Sequence, residues 1–352
     1  MSIKIKVGVA GFGISAKVFH LPFIDSMEEF QLVAVLERNK SGSKDKYPKI
    51  KLARTIEELI ADTETDLIVV TTPNDTHFEY ASKALRAGKH VILEKPFTNT
   101  IDEARELIKI AKASGKMLSV YQNRRYVSDY LTIKDILDQK LLGELHEFNG
   151  FYDRYRAEAR PDAWREHALP GSGILYDLGP HLLDQVLSLM GNPLYITADI
   201  RQQRPHAKVD DYFHLWLDYG FAKATLHAGM LVREQGPRYL IHGTKGSFIK
   251  YGEDVQEAKL RAGELPTGEN WGQEPENIQG LLHTEINGEL VKKNIPSKKG
   301  DYGAYYKNIY NTIINGQPLH ERPEDGYNTI RLIELAIKSN REKRTVACTE
   351  LL

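Results

Sequence analysis

The sequence of 352 residues contains one cysteine, Cys348. A single cysteine excludes an intrachain disulfide and any zinc or iron–sulfur site built from several cysteines, and such sparing use fits a reducing compartment. No apolar run reaches the roughly 18 residues that a membrane-spanning helix needs. The N-terminus leads straight into an apolar strand, without the charged and apolar regions of a signal peptide. We therefore expect a cytoplasmic protein that has no membrane partner.

The sequence also lacks an excess of charge of either sign. Its 47 Lys and Arg residues nearly balance its 48 Asp and Glu residues, so the formal net charge is −1. Without a global basic field, we expect no nucleic-acid partner. Internal repeats and low-complexity tracts are absent as well. The length is sufficient for two domains, each with a sizeable core.

From residue 3 to about residue 120, short apolar strands alternate with helical patterns. Such βαβ repetition with right-handed crossovers predicts an α/β Rossmann domain, with a doubly wound parallel sheet, over residues 1–122. The continuous apolar run at 66–72 is typical of a strand whose two faces are both buried in a parallel sheet.

After residue 122 the pattern changes. Helical patterns at 128–141 and 174–190 precede alternating strands between residues 194 and 251, which predicts a C-terminal α+β domain over 123–352 with a large, mostly antiparallel sheet. Residues 252–300 are polar and rich in Gly and Pro, and they are expected to form a long excursion without a domain of their own.

A glycine-rich turn follows the first strand, with the pattern Gly11-x-Gly13-x-x-Ala16. In a dinucleotide site the first glycine permits a tight turn, the second lets the backbone approach a pyrophosphate, and a small third residue lets the new helix pack on the strand. The N–H groups and dipole of that helix then face the phosphates. The turn therefore predicts a dinucleotide site that includes Gly11, Gly13, Ile14 and Ser15.

The next apolar strand ends at Glu37. It lies about 20 residues beyond the turn, which is the spacing expected for a carboxylate that binds the adenosine ribose. A carboxylate there repels a 2′-phosphate and favours NAD, whereas Arg38 beside it would clamp that phosphate in NADP or stack on the adenine. Glu37 thus favours NAD, and Arg38 leaves NADP open.

Three polar motifs follow strand ends, which is where ligands bind in open α/β sheets. They are Thr71-Thr72-Pro73-Asn74-Asp75-Thr76-His77, Glu94-Lys95-Pro96 and Gln122-Asn123-Arg124-Arg125. Each also has an ordinary structural explanation, namely a capped turn before a helix, a solvated lysine and an interdomain salt-bridge cluster.

A fourth motif contains Asp177 and His181, which a helix would place on one face because they are four residues apart. Pro180 belongs in a first helical turn and disfavours helix at Gly179, so the pair is expected to straddle the helix start. The pair alone is explained equally by a structural hydrogen bond. A metal site with Asp184 as third ligand ranks last, because carboxylates are common on solvated helix faces.

Together these motifs resemble the glucose–fructose oxidoreductase and inositol dehydrogenase family, Gfo/Idh/MocA. The matching segments occur in family order and cover nearly the whole chain: Gly11 to Ala16, Thr72-Pro73 with His77, Glu94-Lys95-Pro96 and Asp177-Leu178-Gly179-Pro180-His181. Gln122 to Arg125 and Gly236-Pro237-Arg238-Tyr239 are similar to the branch that contains the NADP-dependent scyllo-inositol dehydrogenases. The resemblance implies reversible hydride transfer between nicotinamide C4 and a carbinol carbon of a sugar or cyclitol.

The resemblance implies roles that suit the chemistry of three side chains. Removing hydride from an alcohol requires the hydroxyl proton to leave too, so a base must lie within hydrogen-bond reach. His181 is expected to be that base, because imidazole groups titrate near neutrality. Asp177 would orient the imidazole or bind a neighbouring hydroxyl, and Lys95 would donate to the reacting oxygen.

The lining of the two sites is also implied. The cofactor side is expected to include Thr72, Pro73, Asn74, His77, Glu94, Lys95 and Asn123. Aromatic faces beside hydrogen-bond donors suit a polyol, although Trp164 fits the core equally well. The sugar pocket is therefore expected to contain Arg125, Tyr152, Arg154, Trp164 and Tyr302, besides Lys95, Asp177 and His181.

Two other functions stay open on the sequence alone: a dihydrodiol or keto-sugar reductase of the same fold, and a non-catalytic NAD(P)-sensing regulator. Retention of Lys95, Asp177 and His181 together argues against the regulator. By analogy with the family, we expect a homodimer or homotetramer that forms through the C-terminal sheet. Soluble antiparallel sheets with an apolar outer face need a cover.

Overall fold

A computed structural model of the chain describes residues 3–159 and 166–352. The chain divides into two compact units. Unit 1 comprises Met1–Asn123, Gln256–Trp271 and Asp301–Tyr327, and unit 2 comprises Arg124–Val255, Gly272–Gly300 and Asn328–Leu352. The domain boundary expected at residue 122 stays a prediction.

The described residues form strands and helices along the whole chain. The strands are β1 (Ile5–Ala10), β2 (Phe30–Leu36), β3 (Lys51–Ala53), β4 (Leu67–Val70), β5 (His90–Leu93), β6 (Leu118–Val120), β7 (Leu145–Phe151), β8 (Tyr195–Arg201), β9 (Tyr212–Asp218), β10 (Lys223–Gly229), β11 (Tyr239–Gly243), β12 (Gly246–Lys250), β13 (Gly280–Ile286), β14 (Glu289–Ile295) and β15 (Val346–Ala347). The α-helices are α1 (Leu21–Ser26), α2 (Gly42–Lys46), α3 (Ile56–Ala61), α4 (His77–Arg86), α5 (Ile101–Ser114), α6 (Ser128–Asp138), α7 (Ile174–Met190), α8 (Gln256–Arg261), α9 (Gly303–Asn315) and α10 (Pro323–Glu342).

Unit 1 contains a six-stranded sheet whose neighbouring strands all run parallel. The strand order is β3-β2-β1-β4-β5-β6, which is the order of a dinucleotide-binding Rossmann sheet. All four residues of β4 are fully buried, as the continuous apolar run predicts. The expected doubly wound parallel sheet is therefore confirmed. The short elements α2 and β3, which the sequence patterns did not indicate, extend it at one edge.

Unit 2 contains a nine-stranded sheet with the order β14-β13-β12-β11-β7-β10-β9-β8-β15. Strands β7 and β10 pair in parallel, and the other pairs are antiparallel. Helix α7 packs on β9 and β10. The expected α+β domain with a mostly antiparallel sheet is confirmed. Strand β7, which the sequence patterns missed, lies at the centre of the sheet.

The prediction of a long excursion over residues 252–300 is wrong. Helix α8 and the hairpin of β13 and β14 occupy much of that segment. Asn287 and Gly288, both with positive φ, form the turn between the two strands. An Asn-Gly pair between alternating strands is a strong hairpin signal, so the sequence did contain the information.

Among the helices of the described residues, none is both long enough and apolar enough to cross a membrane.

Candidate active site

The glycine-rich turn follows β1 and packs against Thr71 within unit 1. Gly11 has φ of +108°, and a Cβ there would lie 2.9 Å from the hydroxyl oxygen of Thr71, so only glycine fits. By contrast, no atom lies within 4 Å of the position that a Cβ at Gly13 would take. Ile14, beside it, is an exposed large apolar side chain. The turn thus has a tight base and an open outer side.

Glu37 follows β2 and is buried, and its orientation is set by a helix N-terminus. Its Oε2 accepts a hydrogen bond of 2.8 Å from the backbone N–H of Ser43 in the first turn of α2. The Arg54 guanidinium donates to the backbone carbonyl of Glu37 at 2.8 Å. Arg38 is exposed. The carboxylate predicted to select the cofactor is therefore held in place, whereas the neighbouring guanidinium lies at the surface.

Glu94 follows β5 and accepts hydrogen bonds on both carboxylate oxygens. Oε1 accepts from the Ser15 hydroxyl and from His20 Nε2, the latter at 3.1 Å, and Oε2 accepts from the backbone N–H of Lys95 at 3.1 Å. Burial by itself raises the pKa of Glu94. The hydrogen bond and the charge of His20, the hydrogen bond from Ser15 and the charge of Lys95 outweigh that effect and lower the pKa to about 2. The carboxylate is therefore ionised at neutral pH.

His77, in the first turn of α4, connects two of the predicted site loops. Its Nδ1 lies 2.8 Å from the carbonyl oxygen of Pro96, and its Nε2 lies 3.0 Å from that of Thr72. Burial lowers the pKa of His77, so the ring is neutral at neutral pH and donates to one of the two carbonyls. The imidazole thus positions the loop that follows β4 relative to the loop that carries Lys95.

The other residues predicted on the cofactor side differ in exposure. Pro73 is exposed, Thr72 and Lys95 are half-buried, and Asn74 and Asn123 are buried. Asn74 accepts from the Asn99 side chain through its backbone carbonyl at 3.4 Å. Their contacts with a cofactor stay a prediction.

In unit 2, α7 carries both Asp177 and His181. The expectation that they straddle the helix start is wrong, because the helix runs from Ile174 through Pro180 to Met190. A proline inside a helix costs about 3 kcal/mol. Burying a single large apolar side chain stabilises by about 1.5–3 kcal/mol. Several such side chains of α7 are buried, so tertiary packing outweighs the proline: Ile174, Leu175, Leu178, Leu182, Leu183 and Val186.

The start of α7 is capped by a loop of the same unit. The backbone N–H of Leu175 donates to Asp210 Oδ2 at 2.7 Å, and that of Ile174 donates to the Asp210 carbonyl at 2.9 Å. Gly173, with φ of +91°, packs so closely on Asp210 that a Cβ would collide with its carboxylate. Burial raises the pKa of Asp210 to about 6. Asp210 and Gly173 together determine where the helix begins, one turn before Asp177.

Farther along α7, two polar side chains hold the segment that follows Asn123. Arg125 makes a two-pronged ion pair with Asp184, with distances of 2.8 Å and 2.7 Å. Gln185 donates to the backbone carbonyl of Arg124 at 2.9 Å. The charge of Asp184 is therefore engaged by a guanidinium. Among the residues described, no group of three His, Cys, Asp or Glu side chains is placed to hold a metal ion.

Tyr152 lies beside His181, with its ring centroid 6.4 Å from that of the imidazole. The Arg238 guanidinium lies 3.3 Å from the tyrosine ring centroid, and those of Arg154 and Arg124 lie 5.8 Å and 6.0 Å away. Three cations thus surround one aromatic ring in unit 2.

Two other residues were expected in the sugar pocket, Tyr302 and Trp164. Tyr302, in unit 1, is fully buried and packs its ring edge-on to Phe19 and Phe23, at 6.4 Å and 6.3 Å. Trp164 lies outside the described residues. The structure therefore groups Lys95 with the cofactor loops in unit 1 and groups Asp177, His181 and Tyr152 in unit 2. The convergence of Lys95, Asp177 and His181 stays a prediction.

Sequence reasoning missed His20 and Tyr306 as partners of the Glu94-Lys95-Pro96 motif. His20 lies close to the glycine-rich turn in sequence, but 286 positions separate Tyr306 from His20. No local pattern connects residues so far apart. Asp210 was missed for the same reason. By contrast, the Gly171-Ser172-Gly173 sequence directly before α7 was a usable signal for the start of a helix.

Two family models match the chain. The model of an oxidoreductase family with an NAD-binding Rossmann fold matches residues 5–122, and the model of the C-terminal alpha/beta domain of that family matches residues 134–348. The chain belongs to the Gfo/Idh/MocA oxidoreductase family.

Relatives of this oxidoreductase match over nearly the full length. The scyllo-inositol 2-dehydrogenase (NADP(+)) IolW of Bacillus subtilis is 42% identical over 342 residues, which are 97% of this chain and 95% of that protein. The oxidoreductase YdgJ of Escherichia coli is 42% identical over 348 residues, 98% of this chain and 99% of that one. The solved structure of the oxidoreductase YvaA from Bacillus subtilis has a TM-score of 0.95 and 41% identity, and the match covers 99% of both chains.

The cofactor of this Gfo/Idh/MocA oxidoreductase is NAD or NADP. The residues of unit 1 fit such a dinucleotide. The open side of the turn at Gly13 leaves room for phosphates, and the buried Glu37 carboxylate lies at the end of the strand next to β1, where a ribose is bound in this fold.

Proposed function

We propose that this oxidoreductase transfers hydride between NAD or NADP and a secondary hydroxyl of a cyclitol or sugar, such as an inositol. The observation that carries the proposal is the arrangement on α7, where Asp177 and His181 lie one helical turn apart on a helix whose start is capped. The inositol dehydrogenase activity of the relative from Bacillus subtilis supports the substrate class.

Three residues of this chain have separate roles in the proposed alcohol oxidation. His181 accepts the hydroxyl proton, and Asp177 orients the imidazole or holds a neighbouring hydroxyl. Lys95 donates a hydrogen bond to the reacting oxygen and stabilises the negative charge that develops there. When bound, the nicotinamide accepts the hydride, or supplies it in the reverse direction. The cluster of guanidinium groups around Tyr152 offers further donors to the hydroxyls of a polyol.

For the cofactor we propose a preference for NAD. Glu37 is buried and its carboxylate is held by Ser43, so it cannot turn away easily from a 2′-phosphate without losing that hydrogen bond. Arg38, which would favour NADP, is exposed and therefore more strongly screened by solvent.

The experiment that tests the function is a screen at about 340 nm, where reduced nicotinamide absorbs, with both cofactors against inositols, aldoses and ketoses. We expect reduction of NAD by at least one cyclitol or sugar. Turnover only with keto-sugars and reduced cofactor would instead identify a reductase. Tight cofactor binding without turnover of any member of the panel would identify a non-catalytic regulator.

We also propose that the protein is a homodimer or homotetramer that pairs through the sheet of unit 2. On β9, the side chains of Phe213, Leu215 and Leu217 are buried, whereas those of Tyr212, His214 and Trp216 alternate with them on the opposite face. Trp216 is 38% exposed. An exposed large aromatic side chain on a sheet face supports the proposal that a partner covers this surface.

A further inference from the structure

His20 occupies an unusual position in the helix that follows the glycine-rich turn. Residues Ala16–His20 form one π-helical turn, in which the backbone N–H of Leu21 donates to the carbonyl of Ala16 five residues earlier. Such turns are rare and frequently occur at functional sites. The turn brings the His20 imidazole fully into the interior of unit 1, where its ring centroid lies 4.3 Å from that of Tyr121.

His20 makes one hydrogen bond through each of its ring nitrogens. Nε2 faces a carboxylate oxygen of Glu94 at 3.1 Å, and an ionised carboxylate only accepts, so Nε2 carries a hydrogen. Nδ1 lies 2.7 Å from the Tyr306 hydroxyl. Because burial raises the pKa of Tyr306, that hydroxyl stays protonated. The result is a hydrogen-bonded chain that runs from Tyr306 through His20 to Glu94.

Glu94 is the last residue of this hydrogen-bonded chain, and it also accepts hydrogen bonds from two other residues. Its other hydrogen bonds come from the Ser15 hydroxyl, in the turn that holds the phosphates, and from the backbone N–H of Lys95. A displacement of the Glu94 carboxylate would therefore move the cofactor loop and the proposed catalytic lysine together.

We propose that His20 is a positioning residue, which fixes the Glu94 carboxylate and through it sets both Ser15 against the cofactor and Lys95 against the substrate. This inference rests on the proposed function for its catalytic part. The part that concerns Ser15 depends only on the cofactor site. His20 itself contacts neither cofactor nor substrate in this assignment, because it is enclosed by Glu94, Tyr306 and Tyr121.

The charges around Glu94 come from several elements of unit 1. His20 and Ser15 face it from the glycine-rich turn and the helix after it, and Lys95 follows it in sequence. His77 of α4, Tyr121 after β6 and Tyr306 of α9 also interact with its charge. Removal of the His20 imidazole takes away one hydrogen-bond donor and leaves the burial, so the pKa of Glu94 rises.

The test compares four variants. His20→Phe removes both hydrogen-bonding atoms, whereas His20→Gln keeps a donor for Glu94 and an acceptor for Tyr306. Tyr306→Phe removes only the outer donor. The matched control is Tyr305→Phe, the neighbouring tyrosine of α9, which is equally buried and whose hydroxyl donates to Ser119 at 2.8 Å, away from Glu94.

The expected result is a loss of kcat without a change in polyol KM. Since small misplacements of reacting groups cost up to about 100-fold, His20→Phe should lower kcat about 10- to 100-fold, Tyr306→Phe about 3- to 10-fold, and His20→Gln less than about 5-fold. Tyr305→Phe should stay within about twofold of the wild type. Equal losses in the Tyr305 and Tyr306 variants, or no rescue by glutamine, would overturn the proposal by showing that only packing matters.

A second readout does not depend on turnover. The affinity for NADH, followed by its fluorescence, is measured from about pH 8 to about pH 5, the range in which a carboxyl of raised pKa becomes protonated. We expect the affinity of His20→Phe to fall with pH and those of the wild type and Tyr305→Phe to stay flat. An affinity of His20→Phe that equals that of the wild type at every pH contradicts the inference for Ser15. If the wild type binds NADH but turns over no polyol, the proposed function fails while this titration still decides the role of His20.

Discussion

At the scale of single residues, the chemistry depends on side chains whose charge is set by their neighbours. Glu94 is the clearest case, since burial and hydrogen bonding act on its pKa in opposite directions and hydrogen bonding prevails. Lys95, which follows it, receives its backbone position from that carboxylate. The predicted catalytic residues therefore depend on partners that themselves do no chemistry.

Loss of either Lys95 or His181 should abolish most turnover. Lys95→Met removes the ammonium at nearly constant length and is expected to lower kcat/KM about 100- to 1000-fold, the range seen when one donor to a developing oxyanion is lost. His181→Ala is expected to cost about 100- to 10,000-fold, as for a general base. Steady-state kinetics measure both effects, and fluorescence titration should show NADH affinity within about twofold of the wild type.

The matched controls for these variants are Lys116→Met, a half-buried lysine beyond the amino end of β6, and His146→Ala, an exposed histidine of β7. Both should keep wild-type rates. Wild-type rates in Lys95→Met or His181→Ala would remove the role proposed for that side chain.

Glu37→Ala should relax the preference for NAD. The variant removes a buried negative charge next to the ribose position, so the ratio of kcat/KM for NADP to that for NAD should rise about 10-fold, which corresponds to about 1.4 kcal/mol. Initial rates with each cofactor give the ratio. Arg38→Ala, the opposite charge change at the neighbouring residue, should lower the same ratio. An unchanged ratio in Glu37→Ala would count against the assignment of this carboxylate.

At the scale of elements, two helices carry the functional groups through irregular features. The helix after β1 contains a π-helical turn that brings His20 to Glu94, and α7 continues through Pro180. Neither feature follows from local propensity. Each is compensated by packing, in one case through an aromatic cluster and in the other through a row of buried aliphatic side chains.

The cap of α7 should make the stability of unit 2 depend on pH. Because burial raises the pKa of Asp210 to about 6, above its ordinary value, the folded state binds the proton more tightly than the unfolded state does. The resulting stabilisation is complete below about pH 4 and is lost as the pH rises through about 6. A shift of about two pH units corresponds to at most about 3 kcal/mol.

Asp210→Asn keeps an acceptor for the Leu175 N–H and removes the titrating group. Urea unfolding at about pH 4.5 and about pH 7.5 should therefore show a smaller pH dependence in the variant than in the wild type. Asp199→Asn, which alters an exposed carboxylate paired with Arg201, serves as the control and should leave that dependence unchanged. An identical pH dependence in Asp210→Asn and the wild type would disprove the role of this buried carboxyl.

At the scale of the whole molecule, the open face of the unit 2 sheet should govern assembly. Trp216 lies on that face, opposite Thr197 of β8 and Thr225 of β10. Trp216→Glu places a charge there, whose burial costs several kcal/mol, and should convert a dimer or tetramer into monomers. Light scattering coupled to size-exclusion chromatography measures the mass.

The control for assembly is Phe221→Glu, which alters an exposed apolar side chain in the turn between β9 and β10. This variant should keep the mass of the wild type. A monomeric wild type, or a Trp216→Glu variant with unchanged mass, would show that this face is not the interface.

The sequence by itself determined the features that rest on local patterns. Apolar strands that alternate with helices specified the parallel sheet, and the spacing from Gly11 to Glu37 predicts where the dinucleotide binds, because a short βαβ unit leaves little choice of geometry. The Asn287-Gly288 pair is an equally local signal for the hairpin of β13 and β14. Family membership followed from motifs that each lie in one short segment.

Tertiary structure alone decided what depends on distant contacts. The continuation of α7 through Pro180 required buried partners on the sheet, and the hydrogen bond of His20 to Tyr306 required a residue from the other end of the chain. Local propensity is worth about 1 kcal/mol per residue, whereas burial of a whole helix face is worth several times more. The sequence therefore determines which residues are available for chemistry, and packing between remote segments determines which of them are held in position.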